Sequence, residues 1–217
     1  MEPSKLFQMV IIPAFFDTTF MVAITFVIAT VIGFAVAVFM VCCDENGLTP
    51  HPLVYKLLDS IVNLLRSFPF IILIVAIIPI TRMVVGTSIG KVAAIVPLVF
   101  ASAPFIARLF EGVLKEVDPN VIEAARSFGA TNIQIIFKVM VKEAIPSIVL
   151  ILTLAMISIL GLSAMAGVVG GGGLGAVAIT YGYQSFDNFA MYSTVVILVV
   201  VVQVIQWIGN MLYKTLL

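Results

Sequence analysis

The chain has 217 residues, of which 62% are hydrophobic and 10% are charged, with 11 basic and 11 acidic side chains. A soluble domain carries about 25% charged residues, so these charges are too few to cover a soluble globule. The composition therefore favours a bilayer as the solvent, and it excludes a cytosolic enzyme and a secreted disulfide scaffold. The net charge of zero gives no basic surface for DNA or RNA, so we expect no nucleic-acid partner.

The uncharged stretches predict an all-α polytopic membrane protein with a single transmembrane domain over residues 1–217. A spanning helix needs about 20 apolar residues, which allows five spans. The spans are expected at about 18–43, 53–80, 91–110, 146–166 and 189–213. Pro69 and Pro79 should kink or end the second helix, because proline removes a backbone donor.

The first half of the second span carries Asp59, Asn63 and Arg66 at spacing i, i+4 and i+7, which places them on one helix face. Charges inside a span are costly and normally face protein or water. Two interpretations stay open: a helix end at the headgroup level, or a polar contact to a neighbouring helix or subunit. At the end of the third span, Glu111 and Lys115 have the favourable i, i+4 order.

Residues 116–143 concentrate charge and predict two short helices on a water-facing surface. Asp118 is a good N-cap, and Pro119 suits the first helical position. Gly129 falls where a left-handed residue ends a helix, and 131–134 is typical of a capping box. One apolar face of the first helix is expected from Val121, Ala124, Ala125 and Phe128.

Residues 144–186 contain no charge, and one span cannot use them all. The glycine-rich run 170–175 cannot form a stable helix interior. Irregular backbone is tolerated at membrane depth only inside protein or beside a water-filled cavity. We therefore expect the outward gate at Met165, Gly170, Gly171, Gly172, Gly173 and Gly175. The alternative for Met165 is ordinary helix packing.

An odd number of spans places the two termini on opposite sides of the membrane. Eight of the Lys and Arg residues lie on the side of 116–143, and three lie on the other side. The excess of basic residues predicts a cytoplasmic C-terminus and an N-terminus outside.

The sequence contains no motif for metal binding, for a structural disulfide or for ATP hydrolysis. A lone histidine, His51, and the adjacent Cys42 and Cys43 offer neither a metal pattern nor a structural disulfide. A phosphate-binding loop is absent, so the chain should not hydrolyse ATP by that route. No acidic residue occurs between 144 and 186, which weakens a proton- or sodium-driven mechanism.

The charged loop resembles the "EAA" loop of permease subunits of type I ABC importers. The matching residues are Glu123, Ala124, Ala125, Gly129 and Ala130, continuing to Ile145 and Pro146. The resemblance implies that this helix is the coupling helix, which sits in a groove of a separate ATPase subunit. Small side chains at the two alanines would permit close approach, and the glycine would permit a sharp exit.

Other segments are similar to the methionine-uptake subfamily of these permeases. They are 63–73, 78–82, 85–90, 94–108 and 163–167. The resemblance implies the type I importer fold and a homodimer in the bacterial inner (cytoplasmic) membrane that imports methionine by alternating access. It also implies two ATPase subunits that bind ATP and Mg, and a periplasmic or lipid-anchored methionine-binding protein. The chain itself should have no cofactor and no enzymatic activity.

Two other functions remain open. The same machine could carry another amino acid or a small peptide, because the binding protein normally sets the specificity. A secondary transporter that needs no ATPase is the second alternative. An ATPase encoded beside this chain would favour the importer.

Overall fold

A computed structural model describes residues 2–216. Most of these residues are helical, and none of them forms a β-strand. Ten helices are named here, together with a wider helical turn over Ala178–Gln184. They are α1 (Pro3–Cys43), α2 (Pro52–Ser67), α3 (Phe70–Ala76), α4 (Ile78–Val85), α5 (Lys91–Lys115), α6 (Pro119–Ser127), α7 (132–143), α8 (Ile145–Ala166), α9 (Gly173–Val177) and α10 (Asn188–Leu216).

Four helices within residues 2–216 are long and apolar enough to cross a membrane: α1, α5, α8 with its extension to Gly171, and α10. A fifth span is present if the bent pair α2 and α3 is counted as one. These two helices meet at 102°. The prediction that Pro69 and Pro79 kink or end the second helix is confirmed, since the chain breaks at Pro69 and restarts with Pro79 in the first turn of α4.

The first helix begins at Pro3, well before the expected start at residue 18. Leu6 and Ile11 are buried in a cluster with α9 and α10, so this segment has a surface to pack against. Asp17, which suggested a boundary, lies 2.6 Å from the ammonium of Lys91. The ion pair neutralises that charge and lets the helix continue past it.

Helices α1 and α5 lie side by side and run in the same direction. Asp17 pairs with Lys91 at one end, and Asp44, just after α1, pairs with Lys115 at the other. Gly33 permits the closest approach, because a Cβ there would lie 2.9 Å from a backbone oxygen of α5. This pair forms the axis against which α2 and α8 pack.

The capping predictions for the charged loop are confirmed. The carboxylate of Asp118 accepts a hydrogen bond from the backbone N–H of Asn120 at 2.9 Å. Thr131 and Gln134 form the reciprocal capping box at the start of α7. Gly129 has φ +81° between the two helices, which is the left-handed conformation expected of it.

The second predicted helix of this loop is present as α7, and it ends one residue before α8 begins. Helix α7 runs directly into α8, with a single interruption at Ala144. Pro146 lies in the first turn of α8 and has no N–H, so the helix tolerates the interruption at low cost. The chain is therefore helical from the charged loop to the end of α8 except at Ala144.

The glycine-rich run is less irregular than expected. Gly170 and Gly172 leave the helical conformation, with φ of +93° and +80°. The chain then forms the short helix α9, although glycines occupy two of its five positions. Its first turn is stabilised from outside, because the backbone N–H of Leu174 donates to the hydroxyl of Thr18 at 2.8 Å.

Candidate coupling surface and translocation pathway

Helix α6 exposes most of its apolar face. None of its residues is buried, and Phe128, which directly follows its last residue, is 92% exposed. Val121 and Ala124 are also exposed. Ile122 and Ala125 instead pack against the apolar cluster at the end of α5, so the single face predicted from the sequence is divided between two surfaces. An apolar strip left open on a well-capped helix is typical of a contact surface.

The turn after α6 is held by its backbone. The N–H of Ala130 donates to the carbonyl of Ala125 at 3.1 Å. No atom lies within 4 Å of a Cβ added at Gly129, so its positive φ, rather than lack of space, requires a glycine. Glu123 is exposed beside the apolar strip. The motif residues thus shape a rigid corner and leave the outer side of α6 open.

A polar network joins α2 to α5. Its centre is the carboxylate of Glu111, which is 2% exposed and accepts a hydrogen bond from the hydroxyl of Tyr55 at 2.8 Å. Arg108 and Lys115 donate to the same carboxylate at 2.7 Å and 2.9 Å. Two cations around one buried anion compensate for its lost hydration.

Asp59 and Asn63 belong to this network, whereas Arg66 does not. The guanidinium of Arg108 donates to the carboxylate of Asp59 at 2.5 Å and to the side-chain carbonyl of Asn63 at 3.0 Å. The exposed Arg66 makes no side-chain hydrogen bond or ion pair with any residue from 2 to 216. Two of the three predicted face residues therefore contact a neighbouring helix, and the third is exposed.

Asp44 and Tyr55 complete the polar network, and sequence reasoning missed both. The ammonium of Lys115 hydrogen-bonds the carboxylate of Asp44 and lowers the pKa of that group. It also lies 4.6 Å from the ring centroid of Tyr55. A signal for Tyr55 exists in the sequence, because it precedes Asp59 by four residues and shares its helix face.

The glycine segment, defined here as residues 167–175, packs very closely on its neighbours. A Cβ added at Gly175 would lie 2.1 Å from the backbone oxygen of Ala164, and one at Gly173 would lie 2.5 Å from the hydroxyl of Thr18. Gly171 is similarly close to the backbone of α8. Glycine is required at these positions because the neighbouring residues leave no room for a side chain.

The predicted gate residues lie around this segment in different settings. The carbonyl of Gly170 accepts a hydrogen bond from the backbone N–H of Gly90 at 2.9 Å, which joins the segment to the start of α5. Gly172 has no atom within 4 Å of an added Cβ. Met165 is 44% exposed near the end of α8. The segment is therefore anchored on one side and open on the other.

Metal chemistry has no visible support in the described residues. No three His, Cys, Asp or Glu side chains among residues 2–216 are grouped so that they could hold a metal ion. Cys42 and Cys43 are both free and lie in the last turn of α1. The features that stand out are the open side of α6, the polar network and the glycine segment.

Comparisons with known proteins agree on one family. Residues 47–216 match the family described as "Binding-protein-dependent transport system inner membrane component". The chain is 45% identical over 204 residues to a probable D-methionine transport system permease protein of Vibrio cholerae, covering 94% of this chain and 91% of the relative. It is 40% identical over 169 residues to a methionine import system permease protein of Bacillus subtilis, covering 78% and 76%.

A solved structure of the inward-facing MetNI methionine ABC transporter has the same fold as this chain. The TM-score is 0.96 at 39% sequence identity, and the match covers 100% of this chain and 99% of the other. Since the matches cover most of the chain and include its motif loop, the protein belongs to the family of inner membrane components of binding-protein-dependent transport systems.

Proposed function

We propose that the chain is the permease subunit of an ATP-driven methionine importer, and that two copies form the pathway by alternating access. The observation that carries the proposal is the outer side of α6, an apolar strip on a rigid, capped helix that no residue from 2 to 216 covers. Methionine as the substrate is supported by the names of the relatives in Vibrio cholerae and Bacillus subtilis.

The topology follows the distribution of basic residues. Five spans, with α2 and α3 as a broken second one, place the N-terminus outside and the C-terminus in the cytoplasm. The polar network and α6 then lie on the cytoplasmic side of the inner membrane. The glycine segment lies toward the outside, where a periplasmic or lipid-anchored binding protein would deliver methionine.

The partner ATPase dimer binds ATP and Mg and receives one α6 from each permease copy. When the ATPase subunits close, each α6 moves with the subunit on which it is docked. Because α7 continues into α8, this displacement reaches the glycine segment at the far end of α8. Met165 and residues 170–175 then act as the outward gate. ATP and the loaded binding protein supply the differential affinity that switches the two states.

The test is uptake of radiolabelled methionine into vesicles that contain the chain, its ATPase and its binding protein. Gly129→Asp should abolish ATP-dependent uptake, because a side chain at φ +81° strains the corner after α6. Gly86→Asp is the matched control: Gly86 also has φ +81° and no atom within 4 Å of an added Cβ, but it lies at the end of α4. It should retain most of the uptake.

The alternatives give different results in the same vesicles. ATP-dependent uptake of another amino acid or a small peptide, without methionine uptake, would keep the importer and replace the substrate. Uptake that depends on neither ATP nor Gly129 would contradict the coupling role of α6 and favour a secondary transporter.

A further inference from the structure

Helix α2 is the spanning element whose surface the rest of the chain covers least. Val62 is its single buried residue. The side of α2 that packs on α1 and α5 is formed by Tyr55, Leu58, Asp59, Val62 and Leu65. The remaining two thirds of the helix circumference faces away from the protein, which raises the question of what environment it meets.

The uncovered part of α2 divides into two stripes of different character. The apolar stripe consists of Leu53, Val54, Leu57, Ile61 and Leu64. The polar stripe consists of Lys56, Ser60, Asn63, Arg66 and Ser67, and Asn63 lies at its border with the packed side, where it also accepts a hydrogen bond from Arg108. Both follow helical spacing, so each keeps one direction along the helix. The apolar stripe suits lipid, whereas the polar stripe does not.

Lipid cannot solvate the polar stripe. The hydroxyls of Ser60 and Ser67 bond back to carbonyls of their own helix, but Lys56 and Arg66 have no counter-ion within residues 2–216. Ionisable groups inside spans face the bundle interior or water. The polar stripe therefore faces water or another subunit rather than lipid.

The depth of Arg66 follows from the helix rise. The polar network fixes Tyr55 near the cytoplasmic end of α2. Ten residues separate Lys56 from Arg66, which is about 15 Å along the axis, or half of a hydrocarbon core about 30 Å thick. Beyond the bend, α3 contains no polar side chain. The polar stripe thus runs from the cytoplasmic end to the middle of the membrane and stops there.

Arg66 is the deeper of the two α2 cations that have no counter-ion within residues 2–216. Lys91 pairs with Asp17, and Arg108 and Lys115 share Glu111. The guanidinium presents a planar fork of donors that fits a carboxylate with two parallel hydrogen bonds. An amino acid in transit carries one such carboxylate and must lose part of its hydration at this depth.

We infer that the polar stripe of α2 lines the cytoplasmic half of the pathway and that Arg66, at its deep end, binds the α-carboxylate of the transported amino acid. This inference rests on the proposed importer function and adds a residue that meets the substrate. Ser60 and Lys56 then lead the released solute to the cytoplasm along the same side of the helix.

Cysteine accessibility tests the placement. In a Cys42→Ala, Cys43→Ala background, Ser60→Cys and Arg66→Cys are compared with Leu57→Cys and Leu64→Cys, which are exposed at similar depths on the apolar stripe. The complex with its ATPase, in inverted vesicles, is treated with a charged, impermeant methanethiosulfonate. Polar-stripe cysteines should react at least about ten-fold faster, because a thiol in lipid does not ionise. Equal rates on both stripes would overturn the inference.

Thiol reagents that add a positive or a negative charge to the Arg66→Cys variant test the contact between Arg66 and the substrate carboxylate. Uptake should rise several-fold after modification with an aminoethyl reagent and stay low after a sulfonatoethyl reagent. Equal uptake with both reagents would overturn the role of Arg66. The labelling pattern does not depend on which solute is carried, so it separates this inference from the proposed substrate. Methionine uptake combined with faster labelling of the leucine positions would reject the inference and keep the importer.

Discussion

The polar network and the glycine segment lie near opposite ends of α1 and α5, and they are stabilised in different ways. At one end, Glu111 is buried beneath two cations and a tyrosine hydroxyl. At the other, the backbone of Ala164 and the side chain of Thr18 leave no room for a methyl group at Gly175 and Gly173, respectively. The first end depends on charge and hydrogen bonding, and the second depends on volume.

This difference predicts which substitutions each end tolerates. A network of long side chains can accommodate a small change of shape but not the loss of its central charge. A glycine whose added Cβ would lie 2–3 Å from its neighbours can accommodate no side chain, whatever its polarity. Each prediction below changes one property at one end, and unfolding is followed in detergent by thermal denaturation.

The largest effect is expected from Gly175→Ala. The added methyl group would clash with the backbone oxygen of Ala164, so the free energy of unfolding should fall by about 3 kcal/mol or more. Gly161→Ala in α8 is the control, since no atom lies within 4 Å of a Cβ added at Gly161. It should leave the unfolding midpoint unchanged or slightly raised. Equal midpoints for the two variants would show that the glycine end is not close-packed.

Glu111→Gln should have the second largest effect. The amide keeps the shape but removes the charge that Arg108 and Lys115 share, so we expect a loss of about 2–3 kcal/mol. This is below the roughly 3–5 kcal/mol of a fully buried pair because both cations are partly exposed. Glu116→Gln, which changes an exposed carboxylate five residues further along the chain, should have almost no effect. A similar midpoint for both would contradict the central role of Glu111.

Thr18→Val tests a single hydrogen bond at the glycine end. It leaves the buried N–H of Leu174 without a partner and should cost about 1–3 kcal/mol. Thr25→Val is the matched control one to two turns along α1, because the buried hydroxyl of Thr25 has no partner within residues 2–216. Its removal should be neutral or stabilising. A larger loss for Thr25→Val would contradict the assigned bond.

The smallest effect concerns pH. Lys115 lowers the pKa of Asp44, so the carboxylate stabilises the folded protein fully above the ordinary aspartate pKa of about 3.9. That contribution is lost as the pH falls through the lowered pKa. The unfolding midpoint of the unmodified chain should therefore drop more steeply below about pH 4 than that of Asp44→Asn. The same pH dependence of the unfolding midpoint in both proteins would contradict the ion pair between Asp44 and Lys115.

Local signals predicted the local structure well. The cap at Asp118, the left-handed Gly129 and the box at Thr131 each depend on neighbours within four residues, and all three are present. Proline alone indicated that the second span would break at Pro69, but the 102° angle depends on what α3 packs against.

Contacts between distant residues were beyond the sequence pattern. Asp59 and Arg108 are 49 positions apart, and no periodicity in one helix reveals the partner on another. The pairing of Asp17 with Lys91 had the further effect of hiding the true start of α1. The glycine run indicated close packing, but the sequence did not reveal which neighbouring residues pack against these glycines.

The hydrogen bond from Leu174 to Thr18 also sets the order in which the protein can be completed. It joins residues 156 positions apart, between α1 and α9. At roughly 5–20 residues per second, Thr18 emerges from the ribosome roughly 8–30 s before its partner. Helix α9 is too short to insert by itself and must be docked by this contact. The contacts between α1 and the glycine segment therefore form only when nearly the whole chain has been synthesised, so an unfinished chain lacks them.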